Sequence, residues 1–299
     1  MGKTVTVAQK SRRQFLTLLA AGSAAVLTGC EVTRGNSDLS ARSPVPEVAG
    51  PTPSPWLSDG HAAGAPGQAA VFPVGPRRVL PPIPPPNTGS PPRVFSHLPR
   101  GRRTIALTID DGYDAETVAA YVQFARDTGI ALSFSPNGSY FAEWAPHAIA
   151  LRPLLERGQV QILNHTFHHP NMTHLPGSRI REELERNDEW IQRTFGTTTR
   201  PWWRPPYGAH DKRTDTLAAN LGYTRTLLWN GSLGDSRLLR RARLLQEARR
   251  YIQPGVILLG HANHPTVTHL YDELVALIRD RNLTPVTLDQ AFGTSRATG

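Results

Sequence analysis

Two adjacent carboxylates, Asp110 and Asp111, close an apolar run that reads Thr104-Ile105-Ala106-Leu107-Thr108-Ile109. Farther along, a second apolar run, Val160-Gln161-Ile162-Leu163, leads into His165-Thr166-Phe167-His168-His169-Pro170. Packing explains paired acids at a strand end poorly, because unpaired charges beside a core are costly. One carboxylate and two imidazoles make the three-ligand protein set of a catalytic zinc-type site, which keeps a further position open for water. The second carboxylate is then free to handle that water's proton. Metal-assisted hydrolysis is the chemistry these residue types suggest. Spacing alone leaves His168 and His169 as alternative partners of His165. Offsets of three and four both fall on one helical face, and Pro170 disfavours helical geometry at the residue before it.

These residues need elements to position them, and the pattern supplies them. Short β-branched runs at 104–109, 131–135, 159–164, 202–204, 224–229, 256–260 and 284–288 alternate with longer amphipathic stretches. The helical patterns are 116–127, 147–157, 178–195, 213–221, 238–252 and 268–281, and glycines follow several of them as C-terminal caps do. Seven strands joined by six crossovers predict a parallel sheet. The fold expected is α/β, a distorted (β/α)7 barrel forming a single catalytic domain. Asp110 and Asp111 follow the first strand and His165 the third, while Arg204 ends the fourth. Residues 230–235 follow the fifth strand and His261 ends the sixth. In α/β barrels the loops at the strand C-termini form the active face, so five segments should converge on one mouth.

Taken in order, five motifs resemble the polysaccharide deacetylase family, the NodB-homology domain of carbohydrate esterase family 4. They are Thr108-Ile109-Asp110-Asp111-Gly112, the 165–170 cluster, Arg204-Pro205-Pro206-Tyr207-Gly208, the 229–235 stretch and Leu259-Gly260-His261. The resemblance spans residues 102–288. It implies that Asp111, His165 and His169 hold a divalent metal, with His168 outside the ligand set; nitrogen-plus-carboxylate ligation suits zinc first and cobalt second. It makes Asp110 the catalytic base and Arg204 the partner that keeps this base ionised. His261 becomes the general acid that protonates a departing sugar amine, with Asp235 favouring its imidazolium form. The Tyr207 backbone N–H would help stabilise an oxyanion. Leu259 would line the pocket for the acetyl methyl group.

The chain departs from that pattern at three positions. Asn230 stands where an aspartate commonly follows the tryptophan, Ser236 where an aromatic usually follows Asp235, and Tyr113 where a proline is common. Trp229 or Trp202 would rebuild the pocket wall that Ser236 leaves open. Trp202, Trp144 and Tyr140 are candidate sugar-stacking surfaces, whereas Trp203 is expected in the core.

Composition separates a tether from the folded part. The chain has 299 residues, and sixteen of its 27 prolines lie between 43 and 99, a stretch with almost no helical periodicity. The folded part is expected to start near Val94 or Arg102; the boundaries adopted are 30–100 for the tether, 101–292 for the domain and 293–299 for a tail. Residues 1–29 read as a signal peptide. Ser11-Arg12-Arg13-Gln14-Phe15-Leu16 is a twin-arginine pattern ahead of a short apolar run, and Leu27-Thr28-Gly29-Cys30 resembles a lipobox with Cys30 as the lipidated residue. The protein is therefore expected to be exported and lipid-anchored in the cell membrane, facing the cell wall or the extracellular side. A single cysteine excludes an internal disulfide and a cysteine-ligated metal. Four of the +9 net charges (Lys3, Lys10, Arg12, Arg13) belong to the signal. The arginine-rich 237–250 stretch carries an apolar stripe and reads as a solvated helix face; no motif accompanies it to suggest nucleic acid.

The expected function is removal of acetyl groups from N-acetylated amino sugars of a cell-envelope or extracellular polysaccharide, peptidoglycan first and chitin-type oligomers second. The rivals are an O-acetyl esterase on a polysaccharide such as xylan, and a catalytically silent carbohydrate-binding lipoprotein suggested by Asn230 and Ser236.

Overall fold

Strand β2 (Thr104–Asp111) is the spine of the domain, in a computed structural model that describes residues 91–293. Its interior residues are buried on both faces, as expected of a parallel strand covered on each side. It pairs in parallel with β3 (Leu132–Pro136) on one edge and β8 (Ile257–His261) on the other. The register sets Asp110 level with Ser135 and with His261, so two sequence-distant polar residues flank the first carboxylate.

The sheet continues from β3 to β4 (Val160–Ile162), and from β8 to β7 (Gly231–Ser232). A separate three-stranded sheet holds β1 (Arg93–Phe95), β6 (Arg225–Leu227) and β5 (Trp202–Trp203), in the order β1-β6-β5. Two backbone bonds from Asn164 lace the sheets together at one seam, Asn164 N to Trp202 O and Arg204 N to Asn164 O. At the other seam Asn230 N donates to Ile257 O, and Ile257 N donates back to Asn230 Oδ1 at 2.8 Å. The result is a parallel barrel interrupted at two seams, in agreement with the distorted barrel expected, whose closure the alternation pattern alone does not decide.

Helices pack outside it: α1 (Ala115–Thr128), the short α2 (Phe141–Trp144), α3 (Ala148–Glu156), α4 (Gly177–Phe195), α5 (Lys212–Asn220), α6 (Arg241–Tyr251), α7 (Tyr271–Asp280) and α8 (Leu288–Phe292). Helix α1 begins where Asp114 caps the Thr117 N–H and ends at Gly129, whose φ of 69° suits a residue without a Cβ. Helix α4 faces the barrel with Ile180, Leu184, Ile191 and Phe195, and it also buries Glu183, Asn187 and Asp188.

Four differences from the sequence reading stand out. Strand β1 lies upstream of the 101 boundary: Leu228 N donates to Phe95 O, His97 bridges Val256, and Leu98 is buried. Prolines flank this segment and mask its strand character, yet a parallel partner on β6 holds it. The 284–288 run forms only a two-residue strand, β9 (Thr284–Pro285), on β2; Thr287 then caps α8 through a capping box. Helix α6 starts at Arg241 and Leu238 is exposed, so the apolar stripe is shorter than the 238–252 pattern. Finally, Trp144, Trp202 and Trp203 are all fully buried and none can stack on sugar. Trp202 packs with Phe95 and Phe292 and donates to Asp289, while Trp203 donates to Thr226 Oγ1.

The signal and lipobox residues, Cys30 included, lie outside the described residues, as do 294–299. Among the described residues no helix is long and apolar enough to cross a membrane.

Candidate active site

The backbone turns sharply after β2. Asp111 has φ of 65° and Gly112 of 96°, both left-handed. Trp144 fixes this turn by donating its indole N–H to Asp111 O at 2.9 Å, with its ring against Gly112. A Cβ on Gly112 would stand 2.2 Å from Trp144 Nε1, so both the conformation and the space require glycine. The turn lifts the Asp111 side chain away from the sheet while Asp110 stays buried beneath the mouth.

The histidine loop is cradled by buried amides. Asn164 Oδ1 accepts from Thr166 N, and its Nδ2 donates to Leu184 O and to the Tyr223 hydroxyl. Asn137 Nδ2 donates to His165 O at 2.6 Å and to Thr166 O at 3.1 Å. Thr166 and His169 both adopt positive φ, so a bent loop presents the two imidazoles instead of one helical face. His165 Nδ1 lies 2.8 Å from Arg204 O; donation to that carbonyl leaves Nε2 as the free lone pair.

Three ligand-type atoms converge. Asp111 Oδ1 lies 3.4 Å from His165 Nε2 and 3.5 Å from His169 Nε2. Among the described residues these three form the one group of its kind whose ligand atoms all lie within 4.8 Å of one another. Asp111 Oδ1 is buried yet accepts no hydrogen bond of normal geometry. Such an atom is costly unless something positive meets it, and two imidazole nitrogens with one carboxylate oxygen are a donor set that zinc or cobalt accepts. The residues therefore fit a divalent cation. His168 does not contribute: its Nδ1 lies 2.8 Å from Glu183 Oε1, and Glu183 Oε2 accepts the backbone N–H of Phe167 and of His168.

Asp110 is committed elsewhere. Arg204, fully buried, donates Nη1 to Asp110 Oδ1 at 2.6 Å and Nη2 to Thr108 Oγ1 at 2.8 Å. The other oxygen, Oδ2, faces His165 Nε2 from 3.6 Å. Across the mouth, His261 Nδ1 lies 2.9 Å from Asp235 Oδ1, and His261 N donates to Asp235 Oδ2.

Burial and charge set the proton affinities. Burial resists ionisation of Asp111, but His165, His169 and His261 together hold its carboxyl well below the usual range. Burial also opposes charging His165 and His261, yet in each the nearby carboxylates prevail and raise the imidazole above its ordinary value. His169, which is partly buried and has His165 beside it, is pushed down to about 4 and stays neutral, as a ligand must.

The rim holds the remaining candidates. Tyr207, at φ of 61° and largely exposed, sets its ring edge-on to His169 with centroids 4.6 Å apart. Trp229 is partly buried between the Arg204 guanidinium, 5.8 Å from its ring, and Gly208. Leu259 is buried on β8, with Thr108 level on one side and Ser232 on the other. Tyr140 is partly exposed and meets Tyr113, whose hydroxyl lies 3.0 Å from His264 Nε2.

Sequence reasoning missed Asn164, Asn137, Glu183 and Asn263, the residues that shape the ligand loops. Asn263 was within reach, two positions after His261; the others carry no motif. Asn230 is a structural substitution, because its carbonyl oxygen serves Ile257 N as an aspartate oxygen would. Ser236 is exposed beside Asp235.

The fold is the architecture of the family 4 carbohydrate esterases. The polysaccharide deacetylase family model matches residues 97–226. The chain is 24% identical over 195 residues to the peptidoglycan-N-acetylmuramic acid deacetylase PdaA of Bacillus subtilis, covering 62% of this chain and 70% of that one. The solved structure of that relative, a family 4 carbohydrate esterase, superposes with a TM-score of 0.59 at 22% identity, covering 67% of this chain and 85% of the other. A family 4 pseudoenzyme from Bacillus anthracis superposes equally well, with a TM-score of 0.60 at 20% identity over 67% and 69% of the two chains. The family match and the sequence relatives support a deacetylase, and the superpositions show its fold.

Proposed function

We propose that this protein is a metal-dependent N-deacetylase acting on N-acetylated amino sugars of a cell-envelope or extracellular polysaccharide. Peptidoglycan is the first candidate, in line with what the name of the Bacillus subtilis relative says of that protein. Chitin-type oligomers are second. The observation that carries the reading is the buried, hydrogen-bond-free Asp111 Oδ1 between His165 Nε2 and His169 Nε2, with Asp110 held on Arg204 beside it.

Asp111, His165 and His169 would hold the cation, zinc before cobalt. A divalent ion in such a site supplies Lewis acidity toward a carbonyl oxygen and lowers the pKa of water. Asp110 takes the proton of the attacking water through the carboxylate that Arg204 orients. His261 gives a proton to the departing sugar amine, and Asp235 on Nδ1 leaves Nε2 as the donating nitrogen. The Tyr207 backbone N–H supports the developing oxyanion. Leu259 and Trp229 enclose the acetyl methyl group.

The departure at Asn230 loses force as a sign of a silent binder, since its Oδ1 accepts the Ile257 N–H. The decisive experiment measures acetate released from peptidoglycan, chitin and acetylated xylan fragments with added zinc or cobalt, beside Asp110→Asn. Release from N-acetylated glycans alone supports the proposal. Release chiefly from xylan would make it an esterase, and no release despite bound metal would make it a binder. The twin-arginine pattern and Cys30 support an exported, lipid-anchored protein on the outer side of the cell membrane, which metabolic lipid labelling of a Cys30→Ala variant would test.

A further inference from the structure

Asn263 is buried, lies on the segment after β8, and is joined to the turn after β2 by three hydrogen bonds. Its Oδ1 accepts Gly112 N at 3.1 Å and Tyr113 N at 3.4 Å, and its Nδ2 donates to Asp111 Oδ2 at 2.8 Å. Two backbone donors demand the oxygen on their side, so the amide can face Asp111 only with its nitrogen. The carboxylate is thereby pinned by one oxygen. The other, Oδ1, is left bare and turned toward His165 and His169.

The Asp111 carbonyl is held as well, by the Trp144 indole. Both the backbone and the side chain of Asp111 are thus fixed by residues that touch neither imidazole. From this geometry we infer that Asn263 is a positioning residue for the cation. It selects a one-oxygen presentation of Asp111 and blocks rotation of the carboxylate toward the Gly112 and Tyr113 N–H groups. Without it, Asp111 could satisfy those N–H groups itself and withdraw Oδ1 from the histidines. Partners that orient metal-ligating carboxylates typically change metal affinity by about 10–100-fold when lost.

The inference rests on the metal reading of Asp111, His165 and His169, and the test separates the two. Zinc titrations by calorimetry on the full chain would compare the native protein with Asp111→Asn, Asn263→Ala and Asn263→Asp. Each preparation's metal-free melting temperature would be recorded. We expect both Asn263 variants to bind zinc at least tenfold more weakly than the native protein. The Asp variant keeps acceptors for Gly112 N and Tyr113 N, so it decides the matter should the Ala variant fail to fold. Added negative charge alone would tighten zinc binding, so weakening in the Asp variant reports lost orientation. The cobalt-loaded proteins supply a second readout: a reoriented carboxylate shifts the visible ligand-field bands, whereas a merely structural role lowers the melting temperature and leaves those bands unmoved. Native-like affinity in Asn263→Ala, or tighter binding in Asn263→Asp, overturns the inference. Absence of zinc binding by the native protein, indistinguishable from Asp111→Asn, would instead sink the metal reading itself.

Discussion

Arg204 donates to Asp110 at 2.6 Å while its own backbone carbonyl lies 2.8 Å from His165 Nδ1. One residue thus fixes a carboxylate with its side chain and a neighbouring imidazole with its main chain. Both charges of the pair are buried, where removing one partner is worse than removing both.

Arg204→Ala is therefore expected to destabilise the domain by about 3–5 kcal/mol, because Asp110 is left uncompensated. Urea denaturation would measure it. The double variant Arg204→Ala/Asp110→Asn should recover part of that loss, and strict additivity would show the pair is not coupled. Asp110→Asn alone should fold and bind zinc while turnover falls by about 10²–10⁴-fold, the usual contribution of a positioned base.

Asp235 and His261 make a pH-dependent pair. Burial works against the imidazolium, but the hydrogen bond and charge of Asp235, helped by Asp110 and Asp111, raise its pKa above the ordinary 6.5. A raised value in the folded state stabilises the fold fully below about pH 6.5, and the contribution fades as pH climbs through the raised value. In the metal-free protein the His261 ring should titrate above 6.5 by NMR. Asp235→Asn should move it down. A ring that already titrates below 6.5 in the native protein contradicts the pairing argument.

Zinc uptake should release a proton near neutral pH. His165 is raised by its carboxylate neighbours against the effect of burial, whereas His169 at about 4 is already neutral. Metal can bind only deprotonated imidazole, so affinity should fall as pH drops through the raised His165 value. Calorimetry in buffers of different ionisation enthalpy counts the proton. His169→Ala should weaken binding without changing that count; a count that vanished with His169 would place the proton on the wrong ring.

Gly112 and Gly129 offer a matched contrast. Both have positive φ, but a Cβ at 112 meets the Trp144 indole at 2.2 Å while one at 129 meets nothing within 4 Å. Gly129→Ala should cost about 1 kcal/mol from backbone strain alone. Gly112→Ala must also displace Trp144, which holds Asp111 O, so it should destabilise more and weaken zinc binding together. Equal melting temperatures for the two variants would refute the packing argument.

Much of this site was legible because barrel chemistry sits at strand ends: Asp110, Asp111, His165, Arg204 and His261 all follow apolar runs that became strands or their immediate continuations. The ligand choice between His168 and His169 was not, because positive φ at Thr166 and His169 replaces the helical spacing that made them equivalent. Trp144 and Trp202 were misjudged for a related reason. An aromatic residue near a motif reads the same whether it faces sugar or supports the loop from beneath, and only the burial of both separates the cases. Strand β1 was obscured by flanking prolines, since its identity depends on a partner, β6, more than a hundred residues away.

That first strand carries a mechanical consequence. Any chain arriving from upstream enters the folded unit through Arg93, Val94 and Phe95, whose register on Arg225, Thr226 and Leu227 is parallel. A pull on that chain would run along β1 and load its few ladder bonds to β6 in shear, together with the Phe95 contacts on Trp202 and Phe292. β6 also pairs with β5, and the next residue after β5 is Arg204. Phe95 and the seat of the buried arginine are therefore separated by just two neighbouring strands.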